Sequence, residues 1–233
     1  MAIAFGAFDN QINDATVSSY SKNHTIGSGV SMLLVRLAIR GDVSSPSGVT
    51  VTCGGVAMTA AVERTNTTGR QYAGIFYLMN PSAGVKAIAV SWTNAGTSAI
   101  SMVDCSGVDP AISAHSTASN TTGSSTISVT CTGITIGDLV VDLAVDGSGA
   151  VWNSTGQNVE NYAQMETTAA DPLTTRGSSL VADATSETMA WSLTTAGNGA
   201  MAACAFTPAP VSVGTKFRRN LDGIERTGKR GIL

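Results

Sequence analysis

Charge is scarce in this chain. Only 12% of its 233 residues are Asp, Glu, Lys or Arg, about half the usual quarter. That excludes a coiled coil, which is built on Glu, Lys and Leu, and an apolar share of 43% excludes a charge-driven disordered chain. Aromatic residues make up 5%, and there are two histidines and six prolines. No apolar run reaches the roughly 18 residues of a membrane span. Cys53, Cys105, Cys131 and Cys204 are widely separated and form no C-x-x-C pair. Four cysteines so placed in a chain this long do not make a disulfide framework. Without paired spacing, and with two histidines, they do not make a zinc site either. They read as small buried hydrophobes of a chain made in a reducing cytoplasm. Residues 1–8 fit that compartment, because they lack the basic start and the apolar length of a signal peptide before Asp9.

What the chain has instead is hydroxyl and backbone: 55 serines and threonines and 25 glycines. Short segments with β-type patterning recur between Gly, Ser, Asn and Pro punctuation. They fall at 2–8, 16–26, 31–40, 49–53, 56–62, 71–79, 84–92, 97–106, 124–132, 138–146, 158–166, 176–182, 187–193 and 199–206. A short helix near 159–167 is the weaker reading of that stretch. About a dozen strands at this spacing predict an all-β antiparallel sandwich or barrel. In the run from Asp138 to Asp146, the apolar Leu139, Val141, Leu143 and Val145 share one face. Asp138, Asp142 and Asp146 share the other, since side chains alternate along a strand, and they read as a solvated face. Residues four apart on a strand lie about 13 Å apart, so the three carboxylates do not share one calcium ion. The polar stretch 107–125 reads as a long connection between two halves of one sandwich.

The division expected is a β-sandwich domain over 1–209 and a basic, extended C-terminal arm over 210–233, separated by the Thr-Pro-Ala-Pro run at 207–210. Residues 1–215 carry 7 basic and 14 acidic residues, whereas 216–233 carry 6 basic and 2 acidic. An acidic body argues against a nucleic-acid surface and makes the arm the segment that meets something acidic. Its candidate docking residues are Lys216, Phe217, Arg218, Arg219, Leu221, Ile224, Arg226, Lys229, Arg230 and Leu233. The interspersed apolar side chains fit pockets on a neighbour, which phosphate binding alone does not require.

No catalytic signature emerges, and the expectation is a protein that is not an enzyme and needs no cofactor or metal. The run from Gly223 to Arg230 nearly repeats a phosphate-binding loop. However, Arg230 stands where the magnesium-holding hydroxyl belongs, and no strand precedes it. His24 and His115 have the chemistry of a general base and read as surface or turn residues. Trp152, Asn153 and Tyr162 form an aromatic and amide cluster of the kind that holds sugar rings, so a host glycan is an alternative partner.

Several runs carry a resemblance. Gly48-Val-Thr-Val-Thr-Cys-Gly-Gly-Val-Ala-Met-Thr59, Tyr77-Leu-Met-Asn-Pro81 and Ala87-Ile-Ala-Val-Ser-Trp92 resemble a family of virion-associated phage β-sandwich proteins. So do Cys105-Ser-Gly-Val-Asp109, Gly137-Asp-Leu-Val-Val-Asp142, Met189-Ala-Trp-Ser192 and Ala205-Phe-Thr-Pro-Ala209. The resemblance spans roughly residues 2–209. It implies a jelly-roll-like antiparallel β-sandwich and a structural role in the virion as capsid decoration, fibre or tail component. The implied partners are copies of itself and other virion proteins, with no membrane involved.

Overall fold

The computed structural model describes residues 2–111, 114–149, 151–154, 157, 165–166 and 172–211. Within them the chain is all-β and the sheets are antiparallel, as the strand pattern predicts. No helix among them is long and apolar enough to cross a membrane.

Sixteen strands follow in order among the described residues. The first half contributes β1 (Ala4–Ile26), β2 (Met32–Gly41), β3 (Ser47–Cys53), β4 (Val56–Ala57), β5 (Thr59–Asn66), β6 (Gln71–Met79) and β7 (Gly84–Ser106). The second contributes β8 (His115–Thr122), β9 (Thr126–Thr132), β10 (Leu139–Asp146), β11 (Trp152–Ser154) and β12 (Met165–Glu166). It closes with β13 (Thr174–Arg176), β14 (Ser179–Val181), β15 (Ser186–Leu193) and β16 (Gly199–Phe206). The first sheet runs β4-β3-β7-β2-β6-β5, with β1 also on β7; the second runs β12-β13-β10-β16-β8, with β14 on β10; the third is β11-β15-β9.

The segments expected at 2–8 and 16–26 are one strand, β1, and those at 84–92 and 97–106 are one strand, β7. The apparent gaps are bends. Val17 of β1 pairs with Gly96 of β7, and β1 shifts register on both sides of Val17. A Cβ on Gly96 would overlap the Arg40 carbonyl, so only glycine lets β7 pass the end of β2 there. Asn94 beside it takes a φ of 62°. The β1–β7 ribbon thereby folds back over its own continuation. Ile88, Val90 and Trp92 from the start of β7 pack on Leu33, Val35, Leu37 and Ile39 of β2 and on Ile100 and Met102 from its end.

Four β layers and three apolar interfaces result. β2 is buried on both faces, so its odd residues fill the first interface. Met32, Leu34 and Ala38 fill the second, against Leu139, Val141, Leu143 and Val145 of β10 and Ala200, Ala202, Cys204 and Phe206 of β16. The opposite faces of β10 and β16 meet Ile127, Val129 and Cys131 of β9 and Met189, Trp191 and Leu193 of β15. Alanine is frequent in β16 because both its faces are covered. Small side chains let close-packed layers approach without overpacking. The connection expected at 107–125 carries β8, paired along β16, and the middle interface joins residues from both halves of the chain.

Candidate functional site

β1 is the feature most exposed to a partner. Along its 23 residues it hydrogen-bonds β7 on one side. Among the described residues no strand pairs its other side. An open edge of that length presents a row of backbone donors and acceptors that can template another strand. Its side chains are mostly polar, with Asn10, Gln11, Asn13, Thr16, Ser18 and Ser21 in its middle. Ile12 stands 38% exposed among them.

Behind this edge lies an acid–base clamp around a buried histidine, with Asp9 partly open to solvent. His24 is 1% exposed. Its Nδ1 lies 2.7 Å from Asp9 Oδ2 and its Nε2 lies 3.0 Å from Asp104 Oδ1. Asp9 and His24 sit at opposite ends of the bent β1, and Asp104 is on β7. Gly27 N donates to Asp104 Oδ2 at 2.8 Å. The clamp therefore fixes the fold-back of β1 on β7. A recess of about 410 Å³ opens beside Asp104, lined in part by Gly6, Thr25, Ser28 and Ser106. With both ring nitrogens held by carboxylates, His24 has none left to activate a hydroxyl, so the arrangement is not a nucleophile triad. The expected surface histidine is thus a buried one.

A second polar pin crosses three layers. Arg36 on β2 is 1% exposed, and its Nη2 donates to Ser178 O at 3.0 Å. Ser178 N and Oγ donate to Asp142 at 2.6 and 2.8 Å. Trp191 Nε1 donates to Asp142 Oδ2 at 2.9 Å. Burial pushes the Asp142 carboxyl up to about 6, against the opposing pull of these hydrogen bonds and of Arg36. Asp138 accepts from Thr135 N at 2.8 Å and lies 2.9 Å from His115 Nε2; His115 is the first residue of β8 rather than part of a loop.

The solvated face expected for Asp138, Asp142 and Asp146 is corrected by this geometry: all three are fully buried. β10 has strands on both edges and a layer over each face, so its polar face turns inward. Buried carboxylates persist only where hydrogen bonds compensate them, and each of the three accepts at least two.

Trp152 also departs from expectation. It is fully buried, stacks edge-on with Trp191 at 6.3 Å between ring centroids, and its Nε1 donates to Thr174 O at 3.4 Å. A sugar needs an exposed ring face, and this ring has none. Asn153 is exposed beside it; Tyr162 lies outside the described residues. So do Lys216, Phe217, Arg218, Arg219, Leu221, Ile224, Arg226, Lys229, Arg230 and Leu233, and with them the expected arm.

No family model, curated protein or solved structure matches this chain.

The residues that sequence reasoning missed left a signal. Arg36 interrupts Met32-Leu-Leu-Val-Arg-Leu-Ala-Ile39, and Asp104 interrupts Ser101-Met-Val-Asp-Cys105. A lone charge inside a run apolar on both faces has to be buried, and a buried charge needs a partner. The identity of each partner depended on tertiary folding.

Proposed function

We propose that the chain is a non-catalytic structural subunit of a bacteriophage particle, acting by association with copies of itself and with other virion proteins. The observation that carries the reading is the open 23-residue edge of β1. Strand addition along such an edge is a direct route to assembly. The polar clamps support it, because Asp9, His24, Asp104, Arg36 and Asp142 bind strand to strand and give a stiff body. The resemblance of the strand and turn motifs to virion-associated β-sandwich proteins supports placing it in a particle. The basic C-terminal arm supplies a second docking element, complementary to the acidic body of a neighbouring subunit.

The glycan reading loses the ring it was built on once Trp152 is buried, and the association reading stands ahead of it. Sedimentation of the full chain tests the proposal. The native chain is expected to form a discrete oligomer. Ile12→Lys with Thr16→Lys, both exposed on β1, should shift it to monomer, because lysines on an edge block strand addition. A native chain that stays monomeric at all concentrations, or a charged variant that assembles equally well, refutes the β1 route.

A further inference from the structure

The recess of about 410 Å³ beside Asp104 has a wall that asks for no polar partner. Both carboxylate oxygens of Asp104 are in use, Oδ1 lying 3.0 Å from His24 Nε2 and Oδ2 accepting from Gly27 N at 2.8 Å. The wall continues through Ala7, Val30 and the bare backbone of Gly6 and Gly27. Neither glycine takes a positive φ, so conformation does not require glycine there. Packing does not require it at Gly27 either. A Cβ on Gly27 would lie 3.5 Å from Asp104 Oδ2 and 3.7 Å from Val30 Cγ2, which is ordinary contact. The side chain is left out where one would fit, and the recess stays open. Such a recess selects an apolar occupant, because burial there removes surface from water without stranding a donor or an acceptor.

The C-terminal end of the body is directed at it. Asp109 N donates to Thr207 O at 2.9 Å and Ala209 N to Gly107 O at 2.7 Å, and Val108 bridges Pro208 in antiparallel fashion. The chain therefore leaves the body running back along the end of β7 toward Ser106, which lines the recess. It has no ladder to join there. One edge of β7 is taken by β1, with Ala4 opposite Ser106, and the other by β2, with Met32 opposite Cys105. The path that remains lies over a face. Asp104 and Ser106, two apart on β7, share the face that opens as the recess.

Residues 212–233 lie outside the described residues, and their sequence holds one aromatic residue, Phe217. It comes eight residues after Ala209, a reach of up to about 26 Å, which is ample for a return to the recess. A recess of this volume admits an aromatic ring and would be underfilled by Val213. Arg218 and Arg219 follow directly, and the Asp9 carboxylate, two residues beyond Ala7 on β1, is partly open to solvent. We propose that this recess is a seat for the chain's own C-terminal arm, taking the ring of Phe217. The tether keeps the effective concentration of the ring high. One side chain joins the arm to the body surface, so the contact steers the arm rather than holding the fold together, and residues 220–233 are left to reach a neighbouring subunit.

Limited digestion of the full chain with chymotrypsin, read by mass spectrometry, tests this. Cleavage after Phe217 should be severalfold slower in the native chain than in a free peptide of residues 212–226, and equally slow at every protein concentration. Gly27→Val, which fills the recess, should raise cleavage to the rate of the peptide. Ser28→Arg, on an exposed position at the rim, should do the same without touching the packing, so the test survives if the valine variant fails to fold. Cleavage of the native chain at the rate of the peptide, or protection that outlasts the rim variant, overturns the proposal. Protection lost on dilution also overturns it, because the ring would then sit on a second copy. The seat is independent of the β1 edge, so a monomeric chain that protects Phe217 refutes the assembly route alone.

Discussion

Asp142 ties the stability of this protein to pH in a direction opposite to that of most carboxylates. Its folded-state value is raised from 3.8 to about 6, chiefly by burial. A folded state with the higher value holds the proton more tightly than the unfolded chain. The stabilisation is therefore fully present below about pH 4, is lost as pH rises toward 6, and changes no further above that. Two pH units correspond to about 3 kcal/mol at 1.36 kcal/mol per unit. Asp142→Asn keeps the volume and removes the titration. Every other titrating group is common to both proteins, so the difference between them isolates this one. Urea unfolding of both chains at pH 4, 5, 6 and 7 should show the gap moving by about 3 kcal/mol in favour of the variant as pH rises, nearly all of it below pH 6. A pH-independent gap would mean that burial does not govern the carboxyl. A gap that moves toward the native chain would mean that Ser178, Trp191 and Arg36 outweigh burial.

Trp191→Phe removes the indole donor to Asp142 and trims the contact with Trp152. It should cost about 1–3 kcal/mol, read as a lower urea midpoint at unchanged slope. His24→Ala leaves Asp9 and Asp104 facing each other across the fold-back, and should raise amide exchange in β1 and the end of β7 while leaving β10 and β16 protected. All four cysteines are buried, and burial pushes the Cys105 thiol up to about 12 and that of Cys131 up to about 11. Native protein should react negligibly with a thiol reagent at neutral pH, and unfolding should expose four reactive thiols; fast native labelling would refute the packing. Deleting 211–233 should leave the melting temperature of the body nearly unchanged and weaken assembly, and unimpaired assembly would refute the docking role of the arm.

Much of the strand placement was legible because it depends on local alternation, whereas the stacking into more than two layers was not. The period-two pattern placed β2, β6, β10, β15 and β16 within a residue or two. β8 escaped because His115-Ser-Thr-Ala-Ser-Asn-Thr-Thr122 is nearly all polar. Its place beside β16 is set by backbone pairing rather than by its own apolar face. The inward turn of Asp138, Asp142 and Asp146 escaped for a related reason. A strand with one polar face looks solvated until a further sheet is laid over it, and β9 and β15 lie 7–54 residues away in sequence from β10. The recess beside Asp104 was equally hidden, since its wall is brought together from β1, the connection after it and the end of β7.

The pairing of β1 with β7 also has a consequence during synthesis. Ile26 pairs with Gly84 and Ala4 with Ser106, so each residue of β1 waits for a partner roughly 60–100 residues downstream. At ~5–20 residues per second, that is a delay of roughly 3–20 seconds on the ribosome. Throughout it a strand of 23 residues is made and bare, and neighbouring ribosomes on the same message hold identical copies. The polar stretch from Asn10 to Asn23, broken only by Ile12, Ala15, Val17 and Tyr20, keeps the waiting segment in water instead of on its nascent neighbours. Replacing those hydroxyl and amide side chains with valine would leave the final pairing geometrically possible while turning the interval before it into an opportunity for aggregation.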